Sequence, residues 1–359
     1  MPELAVRLGR RSYPIKIERG LLTGLGEELR RVYRGSKIFI LTDENVNAYY
    51  GEAAEKSLQR AGYITGSLVM PAGEQTKSFA SLPAVYDALL DFGLTRRDLL
   101  LTLGGGVTGD LGGFIASTYM RGIPYVQFPT SLLAQIDSSV GGKVAVNHPR
   151  GKNLIGNFYQ PSAVFIDPDV LVTLPDRFFA DGLAEVVKTA CIKDIKLWRL
   201  LRNLHTRPEL QNGMVEIIAR CCRIKKDVVE ADEREENGRM VLNFGHTIGH
   251  ALEAVCRYSR YTHGEAVAIG MSLITAQSEA MGLTAPGTTA ALRETLSARG
   301  LPCAAPEADG AALVSAISRD KKNTGSSLYI ILLKEIGHGF IYETTLPFFH
   351  FLLPQGGGA

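Results

Sequence analysis

What most limits the folds open to this chain is an alternation confined to its first half. Apolar runs near 37–42, 64–70, 98–103, 124–128 and 163–167 alternate with amphipathic stretches such as 79–92 and 110–120. Strands covered on both faces read as near-continuous apolar runs, and the helices that return the chain between them read as amphipathic, so the pattern predicts βαβ units and a parallel sheet. After Leu174-Pro175 the period becomes that of helices, over roughly 176–203, 208–231, 243–257, 262–281, 286–299 and 308–318. Pro168 and Pro175 bracket the change, because proline interrupts regular structure and the residue before it avoids helix. The expectation is an α/β parallel-sheet domain over 1–175 and a mainly α-helical domain over 176–359, which 359 residues readily support. A ligand cleft is expected at the boundary.

The chemistry is concentrated in a few places. Asn243-Phe244-Gly245-His246-Thr247-Ile248-Gly249-His250, followed by His263-Gly264-Glu265, puts three of the seven histidines close together in the sequence. On a helix, His246 and His250 at i and i+4 share a face, about 6 Å apart at Cβ, near enough to meet one divalent ion. His263 opens the next helical segment, and the short loop before it can fold it back onto the first. A lone histidine is more often a satisfied core residue, but three this close beside glycines point to a metal site.

Upstream, Leu99-Leu100-Leu101-Thr102-Leu103 runs into Gly104-Gly105-Gly106-Val107-Thr108-Gly109-Asp110 and formally satisfies G-x-G-x-x-G. Glycine suits a strand-to-helix turn where backbone N–H groups must approach a diphosphate at a helix N-terminus. Taken singly the match is weak. However, Ile38-Phe39-Ile40-Leu41-Thr42 also ends in polar residues, Asp43-Glu44-Asn45, suited to a ribose, and Pro71-Ala72-Gly73-Glu74-Gln75-Thr76-Lys77 adds a carboxylate and a cation. Polar loops at the ends of consecutive apolar strands are where open α/β sheets bind ligands.

Cations recur in glycine-rich surroundings: Lys143 after Gly141-Gly142, and Lys152 between Gly151 and Asn153, read as turns in which an ammonium reaches a phosphate or carboxylate. Glu185 and Lys188 stand at i and i+3, which by itself reads as an exposed ion pair. Arg239, Asn243 and His246 are about one turn apart, and Asp320-Lys321-Lys322-Asn323 follows a helix. The formal charge of +2 supports neither nucleic-acid nor membrane binding as the main function. No signal peptide or long apolar span is seen, so a cytoplasmic location is expected. The five cysteines, Cys191, Cys221, Cys222, Cys256 and Cys303, lack C-x-x-C spacing and read as buried thiols.

In order and spacing, Gly-Gly-Gly-Val-Thr-Gly-Asp, Ser-Ser-Val-Gly-Gly-Lys, Gly-Lys-Asn, Gly-Leu-Ala-Glu-Val-Val-Lys, Asn-Phe-Gly-His-Thr-Ile-Gly-His, His-Gly-Glu-Ala-Val and Asp-Lys-Lys-Asn together resemble the 3-dehydroquinate synthase family over nearly the whole chain. The resemblance implies a Rossmann-like first domain, bound NAD, one catalytic Zn2+ (with Co2+ also acceptable) and a homodimer. It implies metal ligands Glu185, His246 and His263, with His250 beside the site in proton transfer, so the i,i+4 histidine pair is not a double ligand. Three protein ligands leave an open position, as a catalytic site requires. By the same likeness NAD is surrounded by Asp43, Asn45, Glu74, Lys77, Gly105, Gly106, Val107, Asp110, Thr130, Ser131, Asp137, Lys152 and Thr173; Ser131 stands where threonine is common.

The implied substrate is 3-deoxy-D-arabino-heptulosonate 7-phosphate, turned into 3-dehydroquinate and phosphate in the shikimate pathway by transient oxidation, β-elimination, re-reduction and aldol closure. Lys143, Asn153, Lys188, Lys225, Arg239, Asn243 and His250 would bind it and handle protons. Arg121 would take the phosphate, within the subunit or across a dimer interface, and one of Lys321 and Lys322 would join them. Related sugar phosphate cyclases are a rival reading, opposed by intact Lys225, Arg239, Asn243 and Asp320-Lys321-Lys322. A metal-dependent alcohol dehydrogenase, whose smaller substrates need fewer cations, and a non-catalytic nucleotide binder, which needs no metal triad, are the others.

Overall fold

The structure is a computed structural model that describes residues 3–235, 238–305, 307–321 and 327–353, without the side chains of Asp320 and Lys321. The chain divides into two compact units, Met1–Pro175 with Gln211–Arg234, and Asp176–Leu210 with Glu235–Ala359. The change at Pro175 falls where the hydrophobic period changes. Residues 211–234, which the sequence reading assigns to the second domain, pack instead with the first unit.

In chain order the first unit contains β1 (Glu3–Val6), β2 (Tyr13–Ile17), α1 (Leu25–Val32), β3 (Lys37–Asp43), the single turn α2 (Glu44–Val46), α3 (Glu52–Arg60), β4 (Ile64–Met70), α4 (Leu82–Asp91), β5 (Leu99–Gly104), α5 (Gly106–Thr118), β6 (Tyr125–Pro129), β7 (Lys143–His148), β8 (Gly151–Phe158) and β9 (Ala163–Ile166). Among the described residues it forms a seven-stranded sheet of order β1-β2-β9-β6-β5-β3-β4, in which only β1 and β2 run antiparallel. Side chains alternate across each strand, so Ile38 and Ile40 meet Leu25 and Leu29 of α1 and Leu58 of α3. Phe39 and Leu41 face the other way, onto Val85 and Leu89 of α4 and Leu111 and Ile115 of α5. β7 and β8 form a separate antiparallel hairpin.

Close approach of α5 to the sheet needs its glycines. A Cβ on Gly112 would lie 2.2 Å from Cγ2 of Thr102, so the lower half of the glycine-rich segment serves helix-on-sheet packing.

The second unit begins with α6 (Asp176–Lys193) and α7 (Ile195–Asn203). The long helix α8 (Arg207–Ala231) starts there and runs into the first unit, and α9 (His246–Val255), α10 (His263–Ala280), α11 (Thr288–Ser297), α12 (Gly310–Lys321), β10 (Leu328–Glu335) and β11 (His338–Thr344) follow. The last two form an antiparallel hairpin that the periodicity does not announce.

The start of α10 is over-determined. Thr262 and Glu265 form a capping box, the Gly264 N–H donates to Asp181 Oδ1 at 2.5 Å, and Arg177 of α6 holds Glu265 through two bonds of 2.8 Å. α9 and α10 meet where a Cβ on Gly270 would lie 2.0 Å from the carbonyl oxygen of Gly245, a backbone atom that cannot step aside. Gly270→Ala is therefore expected to destabilise the fold by roughly 1–3 kcal/mol through overpacking, measured as a lowered urea midpoint at unchanged m-value.

Candidate active site

In the second unit, α6 carries Glu185 and Lys188, α9 carries His246 and His250, and α10 begins with His263. The ligand atoms of Glu185, His246 and His263 all lie within 4.8 Å of one another. Glu185 is 1% exposed, and neither of its oxygens takes a well-formed hydrogen bond. Its charge faces Lys188 Nζ, with which it is ion-paired, together with His246 Nε2 at 3.6 Å and His263 Nε2 at 3.7 Å from Oε1. The pair that the sequence reads as exposed is thus fully buried, because α6 is covered along most of its circumference.

Burial, and then the positive charge of Lys188 and the neighbouring imidazoles, hold His246 well below the usual histidine range, so its ring is neutral near pH 7. For His263 burial acts in the same direction, but Glu253 and Glu185 more than offset it and raise its pKa. Carboxylate and imidazole donors of this kind suit Zn2+ or Co2+, and a buried carboxylate whose Oε1 faces two Nε2 atoms fits such an ion. His246 and His250 have ring centres 5.2 Å apart, yet His250 groups with Glu253 and His263 rather than with His246 and Glu185. Arg239 is buried, whereas Asn243 and His250 are exposed.

In the first unit the polar loops lie at the C-terminal ends of the adjacent strands β6, β5, β3 and β4. The chain order reverses between β3 and β5, the switch point at which open α/β sheets bind ligands. Asp43 at the end of β3 accepts the N–H groups of Asn45 at 3.0 Å and Val46 at 3.1 Å, and Thr108 Oγ1 donates to it across the switch point at 3.3 Å. Beside it, Gly105, Gly106 and Val107 start α5 with no side chain capping their N–H groups, and Gly106 approaches so closely that a Cβ there would stand 3.1 Å from Ser138 Oγ. These free amides at a helix N-terminus fit a dinucleotide pyrophosphate. Thr130 N–H binds the Gly104 carbonyl at 2.9 Å, while Ser131 Oγ accepts from Ala134 N–H at 3.3 Å.

Lys77 Nζ pairs with Asp110 at 3.0 Å and Glu74 at 3.4 Å. Burial alone would lower the Lys77 pKa, but Asp110 and Glu74 together raise it, so the ammonium stays charged. Asn147, which the sequence reading passes over, donates to Glu74 Oε1 at 2.8 Å and accepts the Asn153 N–H at 3.0 Å, where Asn153 has φ of 55°. Lys143, Lys152 and Asn153 lie not in turns but at the start of β7 and in the first residues of β8, since antiparallel pairing extends to the tip of this hairpin. Lys225, on α8, ion-pairs with Asp137. Thr173 Oγ1 shares a 2.8 Å bond with Tyr50 OH, and exposed Arg121 follows Met120 in a left-handed pair with φ of 67° and 48°. Lys321 ends α12, and Lys322 lies outside the described residues.

Cys191, Cys221 and Cys222 are buried as expected, with burial pushing the Cys222 thiol up to about 12, whereas Cys256 and Cys303 are only half-buried. Glu253 and Asp181, both touching the His263 segment, were not singled out in the sequence. For Glu253 a signal exists, since it stands seven residues after His246, two turns along the same face.

The sequence profiles of the 3-dehydroquinate synthase N-terminal and C-terminal regions match residues 67–181 and 182–323. The chain is 50% identical over 349 residues to the 3-dehydroquinate synthase of Clostridium beijerinckii, a match spanning 97% of this chain and 100% of that protein. Among solved structures it is similar to the 2-epi-5-epi-valiolone synthase of Streptomyces hygroscopicus with NAD+ and Zn2+ bound, at 27% identity and TM-score 0.88 over 96% of this chain and 97% of that one. It is also similar to a 2-deoxy-scyllo-inosose synthase complexed with carbaglucose-6-phosphate, NAD+ and Co2+, at 25% identity and TM-score 0.86 over 96% and 95% of the two chains. Near-complete coverage of the Clostridium beijerinckii protein at half identity, joined with both regional matches, means that the chain belongs to the 3-dehydroquinate synthase family.

Proposed function

We infer that this enzyme is a phosphate lyase of aromatic amino acid biosynthesis that converts 3-deoxy-D-arabino-heptulosonate 7-phosphate to 3-dehydroquinate and phosphate. The observation that carries the reading is the buried convergence of Glu185, His246 and His263, in a chain that matches its synthase relatives nearly end to end. NAD would sit at the ends of β3 to β6, with Asp43 toward its ribose and the amides of Gly105, Gly106 and Val107 at its pyrophosphate. Glu185, His246 and His263 would hold Zn2+ or Co2+. When bound, NAD supplies a transient hydride acceptor and the ion polarises substrate hydroxyls.

The chain's own residues bind and orient the substrate. Lys188 and Arg239 bring positive charge into the buried metal side, where a low dielectric strengthens their hold on substrate anions. Of the first unit's residues, Lys143 and Lys225 would also bind substrate anions, with Asn153 offering an amide, while Lys152 would stand beside NAD. His250, exposed and with its ring centre 5.2 Å from that of His246, would take part in proton transfer to or from the substrate. A homodimer, with Arg121 taking the phosphate, and a cytoplasmic location complete the reading; no helix among the described residues is long and apolar enough to cross a membrane.

Metal-loaded enzyme given substoichiometric NAD and the heptulosonate phosphate is expected to release phosphate and form dehydroquinate over many turnovers per NAD. Accumulation of NADH without phosphate release would favour a dehydrogenase instead. His246→Ala is expected to remove both tight metal binding and turnover, checked by metal analysis after gel filtration; full stoichiometry would take His246 out of the ligand set. Metal affinity should fall as pH is lowered through the raised pKa of His263, since a proton and the ion compete for Nε2. With one competing proton the loss approaches about tenfold per pH unit, readable by competition with a chromogenic chelator.

A further inference from the structure

Glu253 is a buried carboxylate on α9, 5% exposed, that belongs neither to the ligand triad nor to the substrate-binding set. Its Oε2 lies 3.3 Å from Nδ1 of His263, while Nε2 of the same ring faces Glu185 Oε1 at 3.7 Å. A neutral imidazole carries one ring proton, so whatever holds that proton on Nδ1 leaves the Nε2 lone pair to an ion. A carboxylate only accepts, so Glu253 selects the Nδ1–H form. The backbone sets His246 in the same way: its Nδ1 is 3.2 Å from the Phe244 carbonyl oxygen, and its Nε2 faces Glu185.

We propose that Glu253 is the positioning residue of the metal centre, fixing the tautomer and ring orientation of His263 so that its Nε2 converges with Glu185 and His246. The proposal rests on the metal-centre reading of the preceding section. An arrangement in which Glu253 is itself a ligand competes with it, because His250, Glu253 and His263 also bring donor atoms within 4.8 Å. The two nitrogens of His263 point to opposite sides, so they cannot both serve one ion. Glu185 is the more deeply buried carboxylate and the one whose oxygens lack well-formed hydrogen bonds, whereas Glu253 already meets the His263 ring. An outer partner of this kind typically governs affinity by ten- to a hundredfold.

The test is titration of chelator-stripped full-length protein with Zn2+ and Co2+, together with the visible spectrum of the Co2+ form. Glu253→Gln keeps a carbonyl acceptor for Nδ1–H and should bind within about threefold of wild type, whereas Glu253→Leu should lose about ten- to a hundredfold, with a shifted cobalt spectrum. Wild-type affinity and spectrum in Glu253→Leu would overturn the proposal. So would loss of binding in both Glu253 variants with retention in Glu185→Gln, since Glu253 would then be a ligand. If wild type binds neither ion, the metal-centre reading itself fails and the proposal falls with it. Should Glu253→Leu not fold, histidine-selective 15N NMR of metal-free wild type, at a pH where the His263 ring is neutral, decides: a proton held on Nδ1 of His263 supports the role, and one on Nε2 refutes it.

Discussion

A carboxylate buried to 1% exposure is the constraint around which the second unit is organised. Removing one partner from a buried ion pair typically costs 3–5 kcal/mol, so Glu185 is tolerable only while Lys188 and the two imidazoles remain beside it. Their positions depend on three helices being held together: α6 carries the pair, α9 and α10 bring the rings, and the contact of Gly270 with Gly245 lets the last two approach. The Asp181 bond to Gly264 and the Arg177 bonds to Glu265 fix where α10 starts, and hence where His263 stands. Packing and chemistry are the same problem in this unit.

The first unit solves a different one. A sheet covered on both faces leaves its strand ends as the place where polar groups can gather, and the reversal between β3 and β5 opens a gap there. Asp43 and Thr108 span that gap. A carboxylate–ammonium cluster of Glu74, Lys77 and Asp110 lies beside it, linked by Asn147 to the backbone of Asn153. Neighbouring loops are thereby tied to one another instead of moving independently.

The central parallel strands and the helices of the second half were legible because long apolar or 3.6-period runs announce them. The β7–β8 and β10–β11 hairpins were not: glycines and lysines near 141–153 carry a turn signal stronger than the strand signal around them. Nor could periodicity reveal that residues 211–234 pack with the first unit, since an amphipathic helix shows which face is apolar and not what covers it. The Glu185–Lys188 spacing was visible while its burial was not, because burial belongs to the surrounding helices. Motif order pointed to Glu185, His246 and His263, and the structure brings them together; Glu253 shows only in its helical spacing from His246, and Asn147, which acts through Glu74 and Asn153, leaves no motif.

The path of α8 has a consequence for how this molecule is made. The chain leaves the first unit after Pro175, returns at Gln211 and leaves again after Arg234, so the sheet unit is not complete in sequence until the second has begun. During synthesis Asp137 waits for Lys225, and the Pro168 and Gln135 carbonyls wait for Gln211 and Cys222. A fragment ending at Pro175 would expose the surface that α8 covers, and the ribosome must deliver roughly sixty further residues, at about 5–20 per second, before that surface can close.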